Sequence, residues 1–340
     1  MNTFIKNAWY MAAWSDEVTG ELFARKLLGQ SVLLIRGEDG EAVALRDQCP
    51  HRFAPLSMGF IDEGRIVCKY HGLAFDTQGT CVRNPYSDRI PESASLYRYS
   101  AVERFGMVWV WMGDQERADP DMIPDYSATV PADPADRITG YTNLKANYEY
   151  GTDNLLDLSH IEFLHTGTFA GNGVIFGGNH SVKQDGNRIR SDWWMPGVRC
   201  PIGLDQMLRA ETIDHWLDMR WDAPANLYLQ IGGTLPGEPR DAGATLEQAH
   251  VLTPADEGET HYFWSTTIPH GMPAKHAAAF KDVVADAFNV EDKPMIEASY
   301  ANARGDFWGQ KPVSIGVDAA GARARRIIES LKKAEAALAN

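Results

Sequence analysis

Two short loops, each carrying one cysteine and one histidine, constrain the fold of this chain more than any other feature. They are Cys49-Pro50-His51 and Cys68-Lys69-Tyr70-His71, and sixteen residues separate them. Thiolate sulfur and imidazole nitrogen both bind transition metals. The chain has four cysteines in all, which is too few for a disulfide framework, so the paired loops predict a metal site in the N-terminal part.

The alternation of cysteine and histidine in both loops favours an iron–sulfur cluster. A Rieske [2Fe–2S] centre has two cysteines on one iron and two histidines on the other. Cys49, His51, Cys68 and His71 are therefore the predicted cluster ligands. Structural zinc is the alternative, although zinc sites usually place two cysteines within a few residues of each other. Gly72 is expected to free the backbone behind the second loop.

A second group of ionisable residues lies within 153–165, where Asp153, Asp157, His160 and His165 occur among apolar residues. Non-haem Fe(II) oxygenases bind iron through two histidines and one carboxylate. On an α-helix Asp153, Asp157 and His160 share one face, but His165 does not. We therefore expect a helix over 147–165 that loosens to a π-like turn or ends before His165. The alternative is an amphipathic helix with incidental histidines and a solvated acidic face.

The order of predicted elements divides the chain into two domains. Short apolar runs such as 32–35 and 107–111, broken by turn residues, predict a small antiparallel β domain over 1–113. A polar, proline-rich stretch follows at 114–140 and is typical of a linker. From 141 to 340, a helical segment, a run of strands and two closing helices predict an α+β domain.

Charge and hydropathy exclude several classes of partner. The formal net charge of −14 argues against binding to nucleic acid or to an anionic membrane. The N-terminal residues show no signal-peptide pattern, and no apolar run approaches the ~20 residues that a membrane-spanning helix needs. We therefore expect a cytoplasmic protein.

In this order and separation, the two motifs resemble the catalytic α-subunit of Rieske non-haem iron oxygenases, most closely the vanillate and dicamba O-demethylase group. The resemblance covers nearly the whole chain, from residues 7–10 to the C-terminal helices. It implies an all-β Rieske domain followed by a helix-grip-like α+β catalytic domain with an antiparallel sheet. It also implies Asp292 as the third iron ligand beside His160 and His165, although the neighbouring or nearby acids would serve as well on chemistry alone: Glu291, Glu297 and Glu162.

The resemblance further implies how electrons travel. Asp157 would accept a hydrogen bond from the cluster histidine His71 of a neighbouring subunit, which requires a head-to-tail homotrimer. No complete nucleotide-binding fingerprint is present, so electrons are expected from a separate NAD(P)H-dependent reductase or ferredoxin. They would pass from the cluster through Asp157 to Fe(II).

The expected reaction is oxidation of a small aromatic substrate by O₂, with O-demethylation of a methoxy-aromatic acid and release of formaldehyde preferred. N-dealkylation, ring hydroxylation or dihydroxylation, and a cluster-only electron carrier remain alternatives. A substrate carboxylate would need a partner such as Arg199, Arg209 or His250. The candidates for a ring-binding pocket, each equally compatible with the core, are Phe169, Phe176, Trp193, Met207, Trp216, Tyr228 and Trp264.

Overall fold

The computed structural model describes residues 4–166 and 173–338, which form two compact units. The first unit comprises residues 4–123 and 253–257, and the second comprises residues 124–252 and 258–338. The chain passes between them at Ile123 and Pro124, and the first strand of the second unit begins at Arg137. The domain bounds at 113 and 140 stay a prediction.

The first unit is built from small antiparallel sheets. Their strand orders are β1-β11-β10, β2-β3-β4-β9 and β5-β6-β7-β8. The strands are β1 (Trp9–Trp14), β2 (Phe23–Leu27), β3 (Gln30–Arg36), β4 (Ala42–Arg46), β5 (Phe60–Asp62), β6 (Arg65–Val67), β7 (Ala74–Phe75), β8 (Cys81–Arg83), β9 (Arg98–Tyr99), β10 (Ala101–Arg104) and β11 (Met107–Trp111).

The core of this unit explains where its two cysteine loops lie. β1 and β11 are buried along their whole length, so they read as continuous apolar runs. A second core cluster includes Leu33, Leu45 and Phe75, and Cys49 and Cys68 are members of it. The first loop lies between β4 and β5 and the second between β6 and β7, so a shared core holds both cysteines.

The second unit is built around a seven-stranded antiparallel sheet of order β12-β18-β17-β16-β15-β14-β13. With the preceding β unit, this confirms the predicted all-β domain followed by an α+β domain with an antiparallel sheet. Its elements are β12 (Arg137–Leu144), α1 (Tyr148–Leu156), α2 (Ile161–Leu164), β13 (Asn179–Asp185), β14 (Arg188–Arg199), α3 (Asp205–Leu208), β15 (Thr212–Asp222), β16 (Asn226–Thr234), β17 (Ala244–Asp256), β18 (Glu259–Thr267), α4 (Ala274–Asp286), α5 (Lys293–Ala303) and α6 (Ala319–Leu338).

Two glycine–tryptophan pairs set the packing of this sheet. Gly140 lies opposite Trp264, and Gly232 lies opposite Trp216 on a neighbouring strand. A Cβ at Gly140 would fall 1.9 Å from Trp264 Cζ2, and one at Gly232 would fall 2.0 Å from Trp216 Cε2. Glycine is therefore required at both positions because each indole covers the backbone of the adjacent strand.

The helices differ from the prediction in continuity. The helical segment predicted over 147–165 is interrupted, because α1 ends at Leu156, a 3₁₀ turn follows at Leu158–His160 and α2 begins at Ile161. The predicted late helix is also interrupted, since a π-helical segment, Ala287–Asp292, separates α4 from α5. Pro294 stands in the first turn of α5, and its missing N–H interrupts the regular hydrogen-bond ladder there. None of the helices in the described ranges is both long and apolar enough to cross a membrane.

Helix α6 is attached to α1 by a buried arginine. Arg325 Nη2 lies 2.5 Å from Asp153 Oδ2, and Nη1 lies 3.1 Å from Glu149 Oε2. The guanidinium also lies over the rings of Phe307 and Tyr150, at 4.0 and 5.0 Å from their centroids. Asp153 therefore has a structural role as the ion-pair partner that holds α6 against α1.

We expect Arg325→Met to lower the free energy of unfolding by about 3 kcal/mol, because it leaves the Asp153 carboxylate without its ion-pair partner. Urea denaturation measures this change. The control is Arg326→Met, an exposed neighbour on the same helix, which should change stability by less than about 0.5 kcal/mol. Equal losses in both variants would contradict the assignment of Arg325 as the anchor of α6.

Candidate metal centres and substrate cavity

The two cysteine loops have the same backbone design. In each loop the cysteine N–H donates to the carbonyl five residues later, and the N–H four residues later donates back to the cysteine carbonyl, all at 2.8 to 2.9 Å. These bonds join Cys49 to Ala54 and Phe53 to Cys49 in the first loop, and Cys68 to Leu73 and Gly72 to Cys68 in the second. The shared design places the two cysteines at equivalent points of the same backbone turn, with a histidine two residues later in the first loop and three residues later in the second.

The turn that closes each loop requires a left-handed residue. Phe53 has a φ of 62° and Gly72 a φ of 72°, which confirms the predicted role of Gly72. A Cβ at Gly72 would also lie 3.0 Å from Pro85 Cγ. The second loop is therefore constrained by backbone conformation and by a close contact.

Gly72→Ala is expected to lower the temperature at which the cluster's visible absorbance is lost, because a left-handed alanine costs about 1 kcal/mol or more and the new methyl group presses on Pro85. Heating the cluster-loaded protein while recording its absorbance measures this. Gly40→Ala is the control, since Gly40 has a φ of 83° and open space around its Cβ position. A cluster equally labile in both variants would show that the Gly72 loop has no special role.

The side chains of the four loop residues suit a mixed thiolate and imidazole site. Cys49 and Cys68 are 2% and 1% exposed, whereas His51 is exposed and His71 is half-buried. The two imidazole rings lie 4.5 Å apart between centroids. Burial, together with the adjacent Cys68 thiol, raises the pKa of the Cys49 thiol to about 11, although backbone hydrogen bonds act in the opposite direction. Iron would have to displace the thiol protons on binding.

The second candidate site begins where α1 ends. Asp157 follows the last helical residue, and its side chain caps the next turn by accepting hydrogen bonds from Ser159 N (3.0 Å) and Ser159 Oγ (2.6 Å). His165 follows α2 with φ −101° and ψ 29°. The expectation that the chain leaves the helix before His165 is confirmed, although the main break lies eight residues earlier, at Asp157.

His160, His165 and Asp292 come together with their ligand atoms within 4.8 Å of one another. His160 Nε2 lies 3.4 Å from Asp292 Oδ1, and His165 Nε2 lies 3.4 Å from Asp292 Oδ2. The exposed fractions of His165 and Asp292 are 4% and 3%. Burial by itself would raise the pKa of the Asp292 carboxyl, but the two histidines hold it well below its usual range. This set matches the two-histidine, one-carboxylate arrangement that binds Fe(II).

Hydrogen bonds on the far side of each imidazole aim the histidines at this point. His160 Nδ1 donates to the Asp157 backbone carbonyl at 2.5 Å, and His165 Nδ1 donates to Glu291 Oε2 at 2.6 Å. Each bond places the proton on Nδ1 and leaves Nε2 as the metal-binding atom. Asn154 Nδ2 also donates to Asp292 Oδ1 at 3.1 Å. The outer partners therefore orient all three candidate ligands.

The other acids that chemistry allowed as third ligand have different partners. Glu291 holds the outer nitrogen of His165, as described above. Glu297 Oε1 accepts from Lys145 N at 2.7 Å. Glu162 is buried and accepts from the backbone N–H groups of Gly173 and Ile175. The role of Glu291 was missed from the sequence, where its only signal was its position beside Asp292.

An apolar cavity of about 90 Å³ opens on this site. The three candidate ligands form part of its wall, together with side chains from β15, β16, β17, α4 and the π-helical segment. Most of the lining is aliphatic or aromatic, and the other polar residues of the lining are His215, Gln248 and His250. A small apolar ring fits such a site better than an extended polar molecule.

Most residues proposed from the sequence for this cavity lie elsewhere. Among the described candidates, His250 lines it, whereas Arg199, Arg209 and Phe176 are exposed. Trp193, Trp216 and Trp264 are buried in the sheet, and Phe169 lies outside the described residues. The lining residues Phe280, Phe288, His215 and Gln248 were missed, because single aromatic or polar residues carry no sequence signal for a cavity.

Comparison with known proteins gives the same division of the chain into two functional parts. Residues 8–95 match the Rieske [2Fe-2S] domain, and residues 144–334 match the vanillate O-demethylase oxygenase C-terminal domain. The chain therefore belongs to the vanillate O-demethylase oxygenase family of Rieske non-haem iron monooxygenases. Its cofactors are a Rieske cluster and mononuclear iron.

Individual relatives match over nearly the whole chain. The oxygenase component of dicamba O-demethylase from Stenotrophomonas maltophilia is 34% identical, with 98% of this chain and 100% of the relative covered. The oxygenase component of chloroacetanilide N-alkylformylase from Rhizorhabdus wittichii is also 34% identical, covering 98% and 97%. The crystal structure of dicamba monooxygenase bound to dicamba superposes with a TM-score of 0.91 at 33% identity, covering 98% and 99%. As an oxygenase component, this protein takes its electrons from a separate donor.

Proposed function

We propose that this protein catalyses the oxidative O-demethylation of a small methoxy-aromatic compound. The observation that carries the proposal is the convergence of His160, His165 and Asp292 on one wall of an apolar cavity. The dicamba and vanillate O-demethylase oxygenase components among its relatives support the same reaction. One oxygen atom of O₂ would enter the methyl group, and the other would be reduced to water by two electrons from the separate donor and two protons. The hydroxymethyl ether would then release formaldehyde and leave a phenol.

We assign the metal ligands from the geometry of the described side chains. Cys49 and Cys68 would hold one iron of the Rieske cluster, and His51 and His71 would hold the other. His160, His165 and Asp292 would hold the mononuclear Fe(II), which supplies the activation of O₂. Glu291 positions His165 by accepting its Nδ1 proton, and the apolar cavity wall excludes bulk water from the bound methyl group.

Asp157 is proposed to connect the two metal centres. It is half-buried and lines a surface groove together with His160. We propose that His71 of a neighbouring subunit donates a hydrogen bond to this carboxylate in a homotrimer. Asp157 would then pass an electron towards His160, whose Nδ1 is bonded to the Asp157 carbonyl. The protein would work in the cytoplasm, in the breakdown of aromatic compounds, with an NAD(P)H-dependent reductase or ferredoxin as the donor.

Formaldehyde release tests this proposal. The iron-loaded protein, supplied with NADH, O₂ and a reductase that reduces its cluster, is offered ring-matched methoxy, N-methyl and unsubstituted aromatics. The methoxy compounds should give formaldehyde and phenol in equal amounts, together with consumption of O₂. Formaldehyde from the N-methyl series alone would assign N-dealkylation instead, and a hydroxylated ring from the unsubstituted series would assign ring oxidation.

A further inference from the structure

The cavity next to the candidate iron site has no cationic side chain among its described lining residues. Apart from His160, His165 and Asp292, its polar members are His215, Gln248 and His250. The undescribed segment 167–172 has the sequence Gly-Thr-Phe-Ala-Gly-Asn and contributes no lysine or arginine. A ligand carboxylate in this cavity would therefore find no lysine or arginine from these parts of the chain.

Both ring nitrogens of His250 already have hydrogen-bond partners within the protein. Its Nε2 lies 3.0 Å from Gln248 Oε1, and its Nδ1 lies 2.7 Å from the hydroxyl of Tyr262. Because an amide oxygen can only accept, Nε2 carries the proton and Nδ1 accepts from Tyr262. The same network fixes Gln248, whose Nε2 donates to Thr266 Oγ1 at 3.3 Å. A neutral His250 satisfies every bond in this chain of donors and acceptors.

His215, in contrast, has a hydrogen-bond partner on only one ring nitrogen among the described residues. Its Nδ1 lies 2.7 Å from the Gly232 carbonyl oxygen, which can only accept, so the proton of the neutral ring is on Nδ1. Nε2 is then a lone-pair acceptor, and it has no hydrogen-bond partner among the described residues. The side chain is 4% exposed and lines the cavity. A bound molecule with an N–H or O–H group would satisfy this acceptor.

We infer that the cavity selects an uncharged aromatic substrate that carries a hydrogen-bond donor for His215 Nε2, and that it discriminates against an aromatic carboxylate. The inference rests on the proposed function, because it names the class of molecule that the demethylation site accepts. It replaces the methoxy-aromatic acid that the family resemblance implied with an uncharged methoxy-aromatic compound.

The physical basis is the cost of burying a charge without a partner. An ionised carboxylate that leaves water for an apolar site needs a cation or several donors to offset its desolvation. In this cavity His250 offers no free N–H group, because both of its ring nitrogens are already hydrogen-bonded. The lone pair on His215 Nε2 would repel a carboxylate. Iron held by two histidines and one carboxylate would be cationic, but its open positions are needed for O₂. A neutral amide or hydroxyl group has no charge to desolvate, and its N–H or O–H can offset the smaller cost of burial by donating to His215 Nε2.

Three ligands of matched size separate these possibilities: 3-methoxybenzamide, 3-methoxybenzoate and methyl 3-methoxybenzoate. The amide is neutral with a donor, the acid is an anion at pH 7 because carboxyl groups titrate near ~4, and the ester is neutral without a donor. Dissociation constants are measured by calorimetry on the iron-loaded protein without reductant. The amide should bind at least about tenfold more tightly than the acid, and the ester should fall between them.

His215→Leu removes the acceptor while keeping an apolar side chain of similar size. In this variant the amide should lose its advantage over the ester, while the acid stays the weakest ligand. His215→Gln, whose side-chain oxygen can accept, should restore part of that advantage. Rescue by glutamine separates a hydrogen bond from a packing role.

Several results would overturn the inference. These are acid binding as tight as amide binding, no measurable amide binding, or an unchanged advantage of the amide over the ester in His215→Leu. Turnover measurements distinguish the proposed demethylation from the inferred selectivity of the cavity. Amide binding without formaldehyde under full turnover conditions would reject the proposed demethylation and leave the cavity's selectivity standing. Formaldehyde formed from a tightly bound acid would support demethylation and reject the inferred selectivity.

Discussion

Asp292→Ala is expected to leave the Rieske cluster intact and to remove catalysis. Two imidazoles alone hold Fe(II) weakly, so mononuclear iron should fall to less than about a tenth of the parental content after desalting. The visible spectrum should not change, because Cys49 and Cys68 lie in the other compact unit. Metal analysis, absorbance and formaldehyde release measure the three quantities on the same preparation.

Glu291→Gln is the matched control for this experiment, since it alters the adjacent carboxylate. Glu291 accepts a hydrogen bond from His165 Nδ1–H. Loss of such an outer partner typically weakens metal binding by about ten- to a hundredfold. Glutamine keeps an acceptor oxygen, so iron should remain bound at saturating Fe(II) and activity should be reduced but measurable. If Glu291→Gln loses iron and Asp292→Ala keeps it, the third ligand has been assigned to the wrong residue.

The two cluster loops could be predicted from the sequence because each is a short turn formed by residues close together in the chain. The four candidate ligands lie within 23 residues, from Cys49 to His71, and a turn of fixed backbone conformation holds each cysteine and histidine pair. Gly72 signalled that conformation in the second loop. Phe53 adopts the same left-handed conformation in the first loop, and no residue type announced it there.

The iron site was less readable, because its geometry depends on two breaks in helices and on a distant residue. The break at Asp157 had a local signal, since aspartate is among the preferred N-cap residues. The π-helical segment that places Asp292 had Pro294 as its signal. The meeting of Asp292 with His160, however, joins residues 132 positions apart, and only family resemblance predicted it.

The cavity was not readable from the sequence. Its polar residues lie on two strands that flank β16, with His215 on β15 and both Gln248 and His250 on β17. The tautomers of the two histidines follow from partners such as Gly232 and Tyr262. Alternation along a strand identifies a buried face, but it does not show which buried face borders an open space. The three-dimensional structure was needed to show that both ring nitrogens of His250 are hydrogen-bonded, whereas Nε2 of His215 has no partner among the described residues.

Asp157→Asn should bind both cofactors and still fail to pass an electron from the reduced cluster to the iron. Asparagine preserves size and keeps the oxygen that caps Ser159, so the turn leading to His160 should remain. The change removes the negative charge and replaces an acceptor oxygen with an NH₂ group, which would weaken the proposed hydrogen bond from His71 of a neighbouring subunit. We expect cluster reoxidation by O₂ and substrate to slow by on the order of a hundredfold.

Ser159→Ala separates this electronic role from a structural one, because it removes one donor to Asp157 and leaves its charge in place. Single-turnover mixing of the reduced protein with O₂ and substrate follows cluster absorbance and product together. If Asp157 carries the coupling, Ser159→Ala should reoxidise close to the parental rate while Asp157→Asn stalls with its cluster reduced. Parental reoxidation and product formation in Asp157→Asn would mean that the electron takes another route, and that Asp157 serves only to cap the turn that positions His160.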